Sequence, residues 1–217
     1  EPVLDFETAA GHASVVHPED NVLCNFPIGM GKEKNIICTH KNEYGDVEAE
    51  LAQCPVVVEE TYYTQAQAHG MMETYRAYSY LDHAGRLTIV SSTQIPFHVR
   101  RQMARALEMP ASRIRVIKPR IGGGFGGKQT GAVEMFVAAV TKHTGKAAII
   151  VYSRTETFSC TNSRHAMRLT VRLGADEEGT IRAVDIQGLS DGGAYGEHAP
   201  TTFSVVGEKT LPMYHKA

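Results

Sequence analysis

Gly122-Gly-Gly-Phe-Gly-Gly-Lys128 places five glycines within seven residues, between a predicted strand and a predicted helix. We call this stretch the glycine turn. Glycine lets the backbone adopt positive φ and approach a ligand closely, because it has no side chain. A helix that follows such a turn directs free amides and the positive end of its dipole toward an anion. The glycine turn therefore predicts a binding site for a phosphate or a related group, and several cofactors satisfy that description.

One interpretation of the glycine turn is a dinucleotide site. Gly122, Gly124 and Gly127 have the G-x-G-x-x-G spacing of dinucleotide-binding folds. Two features oppose NAD binding: Pro119 interrupts the junction between strand and turn, and the predicted strand over residues 147–152 has no acidic residue to bind a ribose.

A second interpretation is a P-loop, because Gly122, Gly127 and Lys128 have the spacing G-x-x-x-x-G-K. However, Gln129 stands where a P-loop needs Ser or Thr to hold Mg²⁺, which opposes an ATPase or GTPase. A third interpretation is a turn with a purely structural role. The glycine turn alone does not decide among the three.

The composition is that of an ordinary globular protein. The chain has 217 residues, of which 42% are hydrophobic and 21% charged, enough for one large domain or two small ones. Its formal net charge is -2, so no overall field favours nucleic acid or an anionic membrane surface. No apolar run approaches the ~18 residues that a membrane span needs. We expect no nucleic-acid or membrane partner and a cytoplasmic location; because residue 1 is not Met, we also expect a segment of a longer protein.

The cysteines are too far apart for a shared metal site. Close C-x-x-C spacing lets one loop offer two thiolates to one metal, and this chain has no such pair. The sequence therefore predicts four buried, apolar thiols and places any iron–sulfur cluster on another chain. These residues are Cys24, Cys38, Cys54 and Cys160.

The order of strand and helix patterns predicts an α+β fold. Residues 1–55 are predicted to be an irregular connecting segment with one short helix over 46–53, and residues 56–217 a domain. Strand runs alternate with only two or three helices, which favours a mixed sheet over a doubly wound one. The predicted strands are 56–63, 74–81, 87–91, 113–119, 147–152, 165–173 and 181–189, and the longer predicted helices are 95–107 and 132–144.

The glycine turn, extended to Gln129, resembles the signature of the xanthine oxidase and aldehyde oxidase family of molybdenum hydroxylases. The resemblance covers roughly residues 56–215 and is strongest to the molybdenum-cofactor-binding subunit of bacterial xanthine dehydrogenases. Further stretches that resemble the family stand in the expected order: Gln67-Ala-His-Gly-Met-Met-Glu-Thr74, Ser91-Ser-Thr-Gln-Ile-Pro96, Arg113-Ile-Arg-Val-Ile-Lys-Pro119, Ser163-Arg-His165 and Asp191-Gly-Gly-Ala-Tyr195.

The resemblance implies a fold, a cofactor and a reaction. The fold is that of the family's first molybdenum-cofactor-binding domain. The cofactor is a molybdenum-pterin, either molybdopterin or its cytosine dinucleotide, and the reaction hydroxylates a purine with water as the oxygen source. Nicotinate, another N-heterocycle or an aldehyde is the alternative substrate. The implied partners are an iron–sulfur subunit, an FAD subunit and the rest of the molybdenum subunit.

The resemblance also implies roles for residues at the cofactor. Gln67 resembles the glutamine that donates a hydrogen bond to an oxygen ligand of the metal, and the backbone amide of Phe125 resembles the one that faces the same centre. Both are neutral donors, which orient an oxygen ligand without adding charge. The metal itself is held by the pterin, and we interpret His69 and Glu73 as structural polar groups. The glycines implied in cofactor binding are Gly123, Gly124, Gly126 and Gly127.

This chain contains only part of the residues that the family uses to bind the substrate and to act as the general base. Gln129 stands where animal xanthine oxidases have a substrate-facing glutamate, and it is expected to contact a heterocycle as amide donor and acceptor. No arginine follows Arg182, so the family's purine-anchoring arginine has no equivalent here. The general-base glutamate is expected beyond Ala217, and Glu134 and Glu156 do not match its motif. The resemblance thus implies no catalytic residue in this chain and no activity of the chain alone. A non-catalytic module with interaction surfaces is the alternative of a different class.

Overall fold

The computed structural model describes residues 1–17, 34–196 and 198–210, which form two compact units. One unit combines Glu1–Ala66 with His165–Ala217, and the other is Gln67–Arg164. The predicted α+β class is confirmed, with the strands divided between two sheets. In chain order the elements are α1 (Val47–Leu51), β1 (Val56–Thr64), β2 (Arg76–Leu81), β3 (Leu87–Ser91), α2 (Pro96–Ala106), β4 (Ile114–Ile117), α3 (Glu134–Thr144), β5 (Ala148–Val151), α4 (Arg154–Ser159), β6 (Met167–Ala175), β7 (Ile181–Ser190) and α5 (Ala199–Thr210).

The first unit contains an antiparallel sheet in the order β1-β6-β7. β6 and β7 form a hairpin, and α1 and α5 both contact β7. The Asp46 side chain caps α1 by accepting a hydrogen bond from the Ala49 amide at 3.0 Å. Arg172 on β6 forms ion pairs with Glu48 and Asp185, which ties α1 to the hairpin.

The second unit contains a four-stranded sheet in the order β4-β3-β2-β5. β3 and β4 are parallel, and the other pairs are antiparallel. α2 and α3 pack on one face, because alternate residues of β2 and β3 are apolar or small and point toward them. The core formed there contains Leu87, Ile89, Val99, Met103, Leu107, Ile114 and Ala138.

Glu134 accepts hydrogen bonds from the two amides that directly precede α3. Its carboxylate is 3% exposed and accepts hydrogen bonds from the amides of Ala132 at 3.0 Å and Val133 at 3.1 Å. The Ser91 hydroxyl donates to the other oxygen. The amides of Ala132 and Val133 are therefore already paired and are not available to an anion.

Every predicted strand and helix in the described ranges is confirmed, with ends that shift by at most two residues. Two helices, α4 and α5, were not predicted. α4 begins with a capping box, in which Ser153 accepts from the Glu156 amide and the Glu156 carboxylate accepts from the Ser153 amide. The S-x-x-E spacing of this box is visible in the sequence, so α4 was predictable.

The cysteine prediction is wrong for Cys160, which is exposed. Cys38 and Cys54 are half-buried, and the Cys54 thiol donates to the Glu50 carbonyl oxygen at 3.2 Å. Cys24 lies outside the described residues. In the part of the chain with assigned structure, no helix has both the length and the apolar character to cross a membrane.

Candidate cofactor site

The glycine turn lies against the segment that follows Gln67. A Cβ atom on Gly127 would lie 2.8 Å from His69 Nδ1, and one on Gly122 would lie 2.7 Å from Glu73 Cβ. Both distances are shorter than a van der Waals contact, so the missing side chains allow this packing. Gln67 is two residues from His69, within about 7 Å along the chain. Its backbone pairs with that of Arg164 through hydrogen bonds of 3.3 and 2.8 Å.

Protein packing explains the glycine spacing that resembles a dinucleotide motif. The remaining glycine of that pattern is Gly124, where a Cβ atom would lie 2.7 Å from Gln94 Cδ. All three glycines of the pattern therefore accommodate side chains of this unit. α3 begins only at Glu134 rather than directly after the turn. The geometry thus lacks the strand, turn and helix junction on which the dinucleotide interpretation depends.

Lys128 does not act as a P-loop lysine in this structure. Its side chain is 1% exposed, and Nζ donates to Glu73 Oε2 at 2.9 Å. The ammonium also lies 5.9 Å from the ring centroid of Tyr75. A P-loop lysine must reach the phosphates of a nucleotide, whereas this one is buried in an ion pair.

Glu73 connects this ion pair to the start of the glycine turn. Its Oε2 also accepts a hydrogen bond from the Gly122 amide at 2.9 Å, and the Glu73 amide donates to the Gly122 carbonyl oxygen at 3.1 Å. Burial alone raises the pKa of this carboxyl. Hydrogen bonds from Lys128 and Gly122, with the charges of Lys128 and Arg76, outweigh burial and hold the pKa below its usual 4.5.

The lowered pKa of Glu73 predicts a pH-dependent contribution to stability. A carboxyl whose pKa is lower in the folded state stabilises that state above its unfolded pKa, and the contribution is lost as pH falls through the folded pKa. Between pH 5 and 3, roughly, the unfolding free energy of Glu73→Gln should therefore fall less steeply than that of the wild type. Urea denaturation at several pH values measures both slopes, with exposed Glu178→Gln as the control. Equal slopes for Glu73→Gln and the wild type would contradict this assignment.

Phe125 has an unusual backbone conformation. Its φ is +49°, and its ring is 62% exposed. A left-handed conformation costs a non-glycine residue about 1–2 kcal/mol. The neighbouring Gly123 and Gly126 both have φ +94°, a conformation that glycine adopts without a comparable penalty. The strain at a single exposed residue indicates that the surrounding contacts fix the turn.

The glycine turn presents consecutive backbone donors. Within the residues that the structure describes, the amides of Gly123, Gly124 and Phe125 donate to no protein acceptor. The first and third of these residues have positive φ. Successive amides in such a backbone are suited to a negatively charged or oxygen-bearing group. The donors are neutral, and the adjacent Lys128 is already paired with Glu73.

The other predicted site residues lie in the same unit as the turn. The Gln67 side chain is exposed. Gln129 is half-buried, and its backbone amide donates to the Gly126 carbonyl oxygen at 3.2 Å. Two residues without a predicted role contact the turn directly. The Tyr75 hydroxyl donates to the Gly127 carbonyl oxygen, and Gln94 bonds to two amides of the turn. Gln94 belongs to the Ser91–Pro96 stretch that resembles the family, and this resemblance was the feature of the sequence that could have indicated its role.

The chemistry of the donors fits a pterin-held metal better than one held by side chains. Across residues 1–17, 34–196 and 198–210, no group of three or more His, Cys, Asp or Glu side chains is placed to hold a metal ion. The groups of the turn that have no acceptor among the described residues are neutral amides. Such donors can orient a ligand that brings its own metal and oxygen atoms.

The sequence matches known proteins over most of its length. Residues 30–217 match the model of the molybdopterin cofactor-binding domain. The probable hypoxanthine oxidase of Escherichia coli O157:H7 is 36% identical over 195 residues, which are 90% of this chain and 20% of that protein. The large molybdopterin subunit of nicotinate dehydrogenase from Eubacterium barkeri is 40% identical over 162 residues, which are 75% of this chain and 38% of that protein. The chain thus spans a fifth to two fifths of these relatives.

The fold also matches a solved structure. The aldehyde oxidoreductase of Desulfovibrio gigas superposes with a TM-score of 0.61 and 25% sequence identity, over 67% of this chain and 16% of that one. The resemblance to molybdenum hydroxylases seen in the sequence is thereby confirmed, while the domain boundary at residue 56 stays a prediction. The chain belongs to the molybdopterin cofactor-binding domain family.

Proposed function

We propose that this chain forms one wall of the cofactor site in a xanthine-dehydrogenase-like hydroxylase that acts on purines. The observation that carries the proposal is the run of amides from Gly123 to Phe125 that donate to no acceptor among the described residues, in a chain of the molybdopterin cofactor-binding domain family. When bound, the molybdenum-pterin supplies the redox chemistry that oxidises the substrate carbon, and water supplies the oxygen. Residues 56–217 are the proposed extent of the cofactor-binding domain.

The chain's own part in this reaction is to orient the cofactor. The Gln67 carboxamide and the Phe125 backbone amide are the proposed donors to an oxygen ligand of the metal. A backbone amide is a fixed donor, and a carboxamide is neutral, so both hold an oxygen atom without adding a net charge to the centre. The proposed wall against the pterin consists of Gly123, Gly124, Gly126 and Gly127.

A purine is the proposed substrate. The name of the Escherichia coli relative, a probable hypoxanthine oxidase, supports it. Gln129 is the proposed contact to the heterocycle, since its carboxamide makes no hydrogen bond among the described residues and can both donate and accept. Nicotinate, another N-heterocycle or an aldehyde is the second candidate, which the 40% identity to the nicotinate dehydrogenase subunit supports.

A substrate panel on the intact complex separates these candidates. We expect kcat/KM to be higher for hypoxanthine or xanthine than for nicotinate or benzaldehyde. Since kcat/KM reports discrimination among substrates, the ranking identifies the pocket's preference. Inactivity on both purines would sink the purine assignment, and a preference for nicotinate would establish the second candidate.

The proposed partners are an iron–sulfur subunit, an FAD subunit and the rest of the molybdenum subunit, in the cytoplasm. Because the chain spans only 20% of the Escherichia coli relative, we expect the 217-residue chain alone to show no hydroxylation of purines. Purified chain supplied with cofactor and an electron acceptor tests this, and hydroxylation of purines by the chain at a useful rate would refute it. The coding sequence beyond Ala217 tests the non-catalytic module. A stop codon directly after Ala217 would support the module, whereas continuation into further glycine-rich segments and a late glutamate would support the enzyme.

The role of Gln67 gives a direct test of the site. In the intact complex, Gln67→Ala should lower kcat about 10- to 100-fold with unchanged molybdenum content, because one donor that orients a ligand of the metal is lost. Gln65→Ala is the matched control, since Gln65 is also exposed and has no proposed role. Turnover and metal content are measured on the same samples. An unchanged kcat in Gln67→Ala would remove this residue from the site.

A further inference from the structure

The Gln94 side chain bonds to the glycine turn just after Phe125. We propose that Gln94 is a positioning residue, whose carboxamide holds the turn in the conformation that leaves the amides of Gly123 to Phe125 available to the cofactor. This inference rests on the proposed function. It concerns a residue that touches the turn rather than the reacting atoms.

Three hydrogen bonds connect Gln94 to the second half of the turn. Its Oε1 accepts from the Gly126 amide at 3.0 Å and from the Lys128 amide at 3.2 Å. Its own backbone amide donates to the Lys128 carbonyl oxygen at 2.8 Å. The Thr93 hydroxyl donates to that same carbonyl at 3.3 Å. Thr93 and Gln94 therefore fix both peptide groups of Lys128.

The conformation at Phe125 needs such a restraint. Its φ of +49° is unfavourable for a residue with a side chain, and Phe125 is 62% exposed, so burial contributes little to holding this conformation. A return to negative φ would rotate the peptide planes on either side of Phe125. The Gly126 amide, which Gln94 binds, belongs to the peptide that directly follows, so this hydrogen bond opposes that rotation.

The sequence of the turn accommodates Gln94. A Cβ atom on Gly124 would lie 2.7 Å from Gln94 Cδ and 2.9 Å from Cγ. The φ of Gly124 is outside the positive region, so its glycine is required by space rather than by backbone conformation. Gly124→Ala should therefore displace the Gln94 side chain while leaving its chemistry intact.

Gln102 provides a matched control within the same unit. Its Oε1 accepts from the Gly131 amide at 3.1 Å, a contact of the same chemistry three residues beyond the glycine turn. Gln94→Met and Gln102→Met each remove one carboxamide acceptor and keep a side chain of similar length. Gln94→Glu keeps an acceptor oxygen at the end of the same stem.

Amide hydrogen exchange on the intact complex tests the structural half of the inference without using turnover. In Gln94→Met and Gly124→Ala, we expect exchange at Gly126 and Lys128 to be about tenfold faster than in the wild type, because their acceptor is lost. Gln94→Glu should restore the wild-type exchange. Gln102→Met should change exchange in the turn by less than about twofold. Equal exchange in Gln94→Met and the wild type would overturn the proposal.

Kinetics and metal spectroscopy on the same samples test the functional half. In Gln94→Met we expect kcat to fall about tenfold, KM to stay within about threefold, molybdenum content to stay constant and the EPR spectrum of the metal to shift. Gln94→Glu should recover most of kcat. Faster exchange with unchanged kcat and EPR spectrum would overturn the positioning role and leave the proposed function standing. A wild-type complex without molybdenum would overturn both.

Discussion

Replacing Glu73 by leucine is expected to lower the free energy of unfolding by about 3–5 kcal/mol, because it leaves a buried charge without its partner. The Lys128 side chain is 1% exposed, and its ammonium donates to Glu73 at 2.9 Å. The same carboxylate accepts from the Gly122 amide, so this donor also loses its acceptor. Leucine offers neither group a hydrogen bond, and water has little access to Lys128.

Urea denaturation of the chain, followed by circular dichroism, measures this loss. Glu43→Leu is the matched control, because the Lys41–Glu43 pair is 73% and 68% exposed and should contribute less than about 1 kcal/mol. The double variant Glu73→Leu with Lys128→Met should recover part of the stability, since it removes both charges of the pair. A loss below about 1 kcal/mol in Glu73→Leu would show that Lys128 has another partner or reaches water.

The fold was largely predictable because its elements carry local patterns. β2 alternates between buried and exposed residues, as at Ala77 and Tyr78. On α2, Val99 and Met103 are four residues apart and both are buried. Such periods reflect which face of an element meets the core, and they can be read without knowing its neighbours. The division of the strands into two sheets could not be read in this way, because it depends on pairings between distant strands, such as β1 with β6.

The candidate site was only partly predictable for the same physical reason. His69 and Glu73, which the sequence pattern indicates to be structural polar groups, pack on Gly127 and pair with Lys128, respectively. The resemblance indicated the glycine turn. It gave no role to Gln94, whose side chain is 32 and 34 residues from the amides that it binds. The spacing of the glycines also suggested nucleotide-binding motifs. In the structure, these glycines instead make room for the side chains of Glu73, Gln94 and His69.

Gly122→Ala is the second change with a large expected effect, because the added methyl group has no space. Its Cβ would lie 2.7 Å from Glu73 Cβ, an atom attached directly to the backbone. Gly122 and Glu73 are also joined by two hydrogen bonds, from the Gly122 amide to Oε2 and from the Glu73 amide to the Gly122 carbonyl oxygen. Neither residue can move away without breaking these contacts and disturbing the Lys128 ion pair.

We expect Gly122→Ala to lower the free energy of unfolding by about 3 kcal/mol, at the upper end of the range for an overpacked site. Gly11→Ala is the steric control, since its Cβ would meet no atom within 4 Å. Gly70→Ala is the conformational control, since it has open space but φ +66°, and about 1–2 kcal/mol is expected from backbone strain alone. Urea denaturation measures the free energy of unfolding of all three variants. If Gly122→Ala is no less stable than Gly70→Ala, the turn and Glu73 can separate at little cost in free energy. In that case the ion pair alone, rather than close backbone packing, would hold the turn against this segment.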